Sequence, residues 1–284
     1  MSFSMREGKP SVEMSTSGRF LCYLDLDSLI ELSKDGSTVL RDRFLVALRR
    51  RGLLAFSWTQ AIEIGRLAGD NLRRVRDFLC EIGPLWLPFE MKFGSVLERE
   101  ASGGAGPPLS HRMAEHALLM TKGIVGTFPS PVAVLDFVEL ERSADKSASA
   151  SGPGGWLRTQ QGDLLDTLVA QVQSLHAKME KEGVGIDKVL PPVAFHVDRR
   201  CAFVFNHLLR HLTLTARSHT LTLNDAMDFL HAVVAVGYCR VVALDKRWKE
   251  RVESIPKPND LGRVYFRAEL DQVVDRFEYL VSQS

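Results

Sequence analysis

Four acidic residues, Asp25, Glu63, Asp228 and Asp245, stand where apolar segments end or where a charge interrupts them. Asp25 closes the run RFLCYLD and Asp245 closes GYCRVVALD, so each reads as the residue ending a buried strand. Asp228 lies in an apolar helical pattern with Ala226, Met227, Phe229, Leu230, Ala232 and Val233. Glu63 falls about two turns into a helix that Ser57 is placed to N-cap. Bare carboxylates at such positions are costly, so a cluster of them calls for a compensating cation. Hard oxygen donors select Mg²⁺ or Mn²⁺. Taken singly, each acid has a plainer role, as a strand-end turn residue or a solvated helix position. Their shared placement is what points to a metal site.

The elements that must position these acids alternate between strand and helix. A strand over 19–25 is followed by a helix in VLRDRFLVALRRRG, a strand at LLAFS, and helices in WTQAIEIGRLAG and NLRRVRDFLCEIG. From Thr222 the alternation resumes: a capping-box-like TLND opens DAMDFLHAVVAV, then come the strand ending at Asp245, the short helix KRWKERV, the strand GRVYF and a closing helix in RAELDQVVDRFEYL. The pattern implies an α/β fold with a parallel sheet, whose strand ends are where open sheets bind ligands. Residues 92–221 read as a mostly helical insertion or lobe, with flexible loops near 102–108 and 143–155. Inside it, Leu165, Leu168, Val172, Leu175 and Met179 form one apolar helix face, and a further helix is expected over 200–213. Residues 1–18 read as a flexible leader.

The chain has 284 residues, 45% of them apolar and 25% charged, with 36 basic and 35 acidic side chains for a formal charge of +1. No global positive field advertises nucleic acid, so a polyanion site must be local. The scattered Cys22, Cys80, Cys201 and Cys239 suggest a reducing, cytoplasmic setting, and no apolar stretch is long enough to span a membrane.

At the motifs the chain resembles a known family. YLDLDSLIEL is similar to the opening strand and first motif of PIN-domain ribonucleases, SWTQAIE to their second motif, and NDAMDFLHAVVAVGYCRVVALDKRW to their paired C-terminal motifs. The resemblance covers 19–91 and 222–283 and leaves the central stretch unmatched. It implies a PIN-like three-layer α/β/α domain, built from 19–91 and 222–284, in which Asp25, Glu63, Asp228 and Asp245 hold one or two Mg²⁺ or Mn²⁺ ions, directly or through water. It further implies an endoribonuclease in which metal-activated water attacks a phosphodiester of single-stranded RNA. Asp27 falls where the family often has Asn. Leu244 replaces the usual Thr or Ser before the last acid, and Arg240 replaces an acid often found after Tyr-Cys. An antitoxin or other protein partner, and pairing into a homodimer, are further expectations of this resemblance.

Accessory candidates are Asp27, Ser57, Asp225 and His231, the last two each three residues from Asp228 on its helix, and Lys246 and Arg247 for substrate. Asp225 also reads as a helix-start acid, Ser57 as an N-cap and His231 as a core histidine. Arg49–Arg51, Arg73, Arg74, Arg76 and Lys249 could line an entrance for phosphates, with Trp58 or Trp248 stacking on bases. Cys201, His196, His207 and His211 lack a CxxC companion for zinc. The glycines at 103, 104 and 106 lack a Walker lysine. Two alternatives remain open: a haloacid dehalogenase-like phosphatase, which Asp25-Leu-Asp27-Ser28 resembles, and a PIN-like binding or regulatory module that engages a partner through 92–221.

Overall fold

Side chains alternate along Phe20–Leu24, and that alternation divides the hydrophobic interior into two clusters: Cys22 and Leu24 enter one, Leu21 and Tyr23 the other. The structure is a computed structural model describing residues 2–6, 9–13, 16, 18–104, 106–121, 128–145, 153–215, 221–256, 258 and 260–283.

Its strands are β1 (Ser2–Arg6), β2 (Lys9–Glu13), β3 (Phe20–Leu24), β4 (Gly52–Phe56), β5 (Trp86–Pro88), β6 (Val241–Ala243) and β7 (Arg263–Tyr265). The helices of the first part are α1 (Leu26–Leu32), α2 (Thr38–Arg51), α3 (Trp58–Ile64), α4 (Gly69–Ile82), α5 (Phe93–Ala101), α6 (His111–Met120) and α7 (Val132–Asp145). Then follow α8 (Pro153–Glu182), α9 (Ile186–Val189), α10 (Arg200–Thr215), α11 (Leu223–Tyr238), α12 (Lys246–Glu253) and α13 (Leu270–Ser282).

The fold is α/β. Five strands form one parallel sheet in the order β5-β4-β3-β6-β7, with β3 at its centre. Residues of α1–α4, α6, α7 and α13 share the cluster of Cys22 and Leu24, whereas those of α5, α8, α10, α11 and α12 share that of Leu21 and Tyr23. Both sheet faces are therefore covered, as a parallel sheet requires. Gly52 makes one of these contacts possible: a Cβ there would lie 2.4 Å from the Phe277 ring of α13.

Several expectations change. The stretch 92–221 packs closely on the sheet: Val96, Leu168, Val172, Phe203 and Leu208 share a cluster with the strands. Its helices contribute to both layers: α6 and α7 pack with Cys22 and Leu24, and α5, α8 and α10 with Leu21 and Tyr23. Part of the expected flexible leader forms the antiparallel hairpin β1–β2, and Ser-Phe-Ser-Met-Arg carries the two-residue alternation of a strand. Both ends of the expected loop at 143–155 are helical, 143–145 in α7 and 153–155 in α8, and its residues 146–152 lie outside the described ones. Strand β5 was not foreseen; its three residues end in Pro88, tolerable because β5 is an edge strand. Among the described residues no helix is long and apolar enough to cross a membrane.

Candidate functional site

Adjacent parallel strands deliver two of the four acids to the same edge. The Asp25 amide donates to the Ala243 carbonyl (3.1 Å), carrying the β3–β6 pairing one residue past β3. Asp25 then N-caps α1, its Oδ1 accepting from the Ser28 amide at 2.9 Å, and Asp245 N-caps α12, its Oδ1 accepting from the Trp248 amide at 2.7 Å. Capping uses one oxygen of each carboxylate and fixes the side chain at the strand's carboxyl end. The plainer role and the chemical one coexist.

Glu63 arrives on α3, which follows the neighbouring strand β4. Ser57 and Gln60 form a capping box at the start of α3, and the Gln60 side-chain amide donates to the Leu24 carbonyl (2.6 Å). That bond ties the first turn of α3 to the last residue of β3. Asp228 arrives on α11, where the Thr222–Asp225 capping box sets the register.

Electrostatics join the four. Burial pushes the Asp25 carboxyl up to about 6, Ser28 opposes, and Asp27 and Asp245 add to the rise. Burial, then the charge of Asp228, raises Glu63 to about 7; Arg66 opposes and Asp25 contributes. Burial, then Asp245, raises Asp228 to about 7 against the pull of Arg247. The chain thus brings Asp25, Glu63, Asp228 and Asp245 into one another's fields at the carboxyl edge of the sheet. Among the described residues, however, no three His, Cys, Asp or Glu side chains form a ready-made group for holding a metal ion. The acids share a field without closing a cage.

Accessory candidates take other posts. Asp27 is exposed and pairs with Arg267 at 3.8 Å. Ser57 is buried in its cap. Burial works against the charge of Asp225, yet the Thr222 hydroxyl and amide, with Arg247, hold its carboxyl below the usual range. His231 is buried, and burial pushes its imidazole down to about 4. Lys246 is exposed, 4.0 Å from Glu250. Arg247 lies over the cluster, 2.7 Å from Asp225 and 3.6 Å from Asp228.

The expected phosphate entrance does not assemble. Arg73, Arg74 and Arg76 pair with Asp35, Asp70, Asp77, Asp136 or Glu139, and Arg49–Arg51 end α2 just before β4 begins, at the sheet's other edge. Lys249 binds Glu269 at 2.6 Å. Trp58 packs among His116 and Phe137, and Trp248 is buried against Phe229. Neither indole is a free stacking platform. Cys201 and His207 are engaged with the carbonyls of Val233 and Val193.

One residue escaped the sequence reading. Tyr23 is fully buried, its ring centroid 5.7 Å from that of His231, and its hydroxyl has no hydrogen-bond partner among the described residues. Burial, and after it the charges of Glu63, Asp25 and Asp228, hold its phenol protonated well above the usual range. A signal existed, since residues i and i+2 of a strand share a face, which sets Tyr23 beside Asp25.

Comparison of the chain with protein families, curated proteins and solved structures gives no match.

Proposed function

We propose that this chain is a PIN-like endoribonuclease that uses Mg²⁺ or Mn²⁺ to hydrolyse single-stranded RNA. The observation that supports this reading is the convergence of Asp25, Glu63, Asp228 and Asp245, three of them with carboxyls raised to about 6 or 7 by burial and by one another. Such an arrangement is unfavourable without positive charge, and its donors are all oxygens, which fits a hard divalent cation.

A divalent cation bound there would offset the four charges, activate water and stabilise charge on phosphate oxygens. The chain's own groups do the positioning. Asp25 and Asp245 are held by their helix caps, so their free oxygens start from fixed places. Asp228 and Glu63 approach from helices packed on opposite faces of the sheet. Arg247, about half exposed, is within reach of a substrate phosphate once Asp228 has another counter-charge.

The test is incubation of purified protein with single-stranded RNA and Mn²⁺. Cleavage is expected, with loss in Asp25→Asn and Asp228→Asn; cleavage that persists in both variants would sink the assignment. A second reading, a PIN-like module that binds a partner without cutting RNA, is favoured by the Arg247 pairing, which already supplies a cation to Asp225 and Asp228. Absence of cleavage under any divalent metal, with a partner bound through 92–221, would establish that reading instead.

A further inference from the structure

At the sheet edge opposite the carboxylates, we infer a second site: a basic cavity that binds a phosphomonoester of nucleotide size. The cavity holds about 360 Å³, within the range of small-ligand pockets. Arg19 before β3, Arg200 at the start of α10 and Arg240 before β6 all line it.

Each guanidinium is positioned mainly by backbone carbonyls, which orient it without cancelling its charge. Arg19 Nη1 donates to Gly52 (3.2 Å). Arg200 donates to Val197 through Nε and to Asp260 through Nη1, both at 3.0 Å, and Arg240 Nη1 donates to Asp260 at 2.8 Å. A guanidinium has five N–H donors, so each keeps donors for a ligand. The opposing acids are few. Asp198 lines the cavity, and the Asp260 carboxylate stands 3.7 Å from Arg240. Glu100, beneath Tyr238, spends its oxygens on the Cys201 and Ala202 amides and the Tyr238 hydroxyl.

Three forked cations suit a dianionic phosphate better than a single carboxylate. The volume exceeds that of phosphate alone, and Leu21, Gly104, Gly106 and Pro107 also line it, leaving an apolar wall for an attached ring. Phe20 begins the strand that Asp25 follows, so the five residues of β3 separate the two sites by roughly 17 Å. The ligand is thus distinct from a phosphate at the carboxylates.

Calorimetric titration of the full chain in EDTA tests this, with AMP, adenosine, and 5′-phosphorylated or 5′-hydroxyl RNA tetramers as probes. Saturable AMP binding is expected, at least about tenfold tighter than adenosine, weakened about tenfold in Arg240→Gln and Arg19→Gln and unchanged in Asp228→Asn. Binding of AMP without the tetramers identifies a free mononucleotide; preference for the 5′-phosphorylated tetramer identifies an RNA end. Among the described residues, Arg19→Gln loses one side-chain contact, to the Gly52 carbonyl, and decides the matter if Arg240→Gln misfolds. No binding by any probe, equal binding of AMP and adenosine, indifference to both arginine variants, or loss in Asp228→Asn would each overturn the site.

Discussion

The guanidinium of Arg247 lies 2.7 Å from the carboxylate of Asp225, a residue only 2% exposed. Arg247 is itself about half exposed, so solvent screens the pair, but Asp225 cannot reach water to replace it. Arg247→Ala should cost about 1–2 kcal/mol in urea denaturation, the lower part of the range for leaving a buried acceptor without its partner. Because Arg247 also stands 3.6 Å from Asp228, the same variant should bind Mn²⁺ more tightly. Weaker Mn²⁺ binding would mean that Arg247 does not compete for the cluster.

Asp228 should make the metal-free protein less stable as pH rises. A carboxyl whose pKa is raised on folding holds its proton more tightly when folded. Between its unfolded value of about 4 and its folded value of about 7, rising pH therefore favours unfolding. Asp25 and Glu63 act in the same direction over their own intervals. His231 acts oppositely, since its folded value of about 4 makes stability rise with pH up to its unfolded value of about 6.5. Asp228→Asn removes that carboxyl together with the charge that raises Glu63. In EDTA the variant's melting temperature, relative to the parent, should gain roughly 2–4 °C between pH 5 and pH 8. A constant difference would show that Asp228 is not strained by burial and neighbours.

Tyr23→Phe removes a buried hydroxyl that has no partner among the described residues. Leaving such a group unsatisfied is costly, so the metal-free variant should be as stable as the parent or up to about 1 kcal/mol more stable. A loss of more than that in thermal or urea melts would show that the hydroxyl is hydrogen-bonded in solution.

Glu100 fastens α10 to the end of α11. It accepts from the Cys201 amide at 2.7 Å, the Ala202 amide at 3.0 Å and the Tyr238 hydroxyl at 2.8 Å, while only 3% exposed. Glu100→Gln replaces one acceptor oxygen by a donor and should cost about 2–3 kcal/mol in urea denaturation. Mn²⁺ binding at the carboxylates, on the other sheet edge, should be unaffected. A coupled loss of both would show that the clamp also shapes the metal site.

What the residues determine without a fold is local. Apolar runs that stop at Asp25 and Asp245 announce strand ends, the capping residues Ser57 and Thr222 announce helix starts, and both appear where expected. Those signals are legible because burial and capping act over a few neighbouring residues. The three-residue β5 and the packing of α8 and α10 onto the sheet were not legible, since a short edge strand has little periodicity and an amphipathic face does not name its partner. The same limit divides the site. Composition alone makes a charge at residue 228 expensive. Only the tertiary structure sets Arg247 beside it, buries the Tyr23 hydroxyl among the acids, and gathers Arg19, Arg200 and Arg240 at the opposite edge. Their separations in sequence carry no pattern, because chain crossings and the parallel order of the strands decide which distant residues meet.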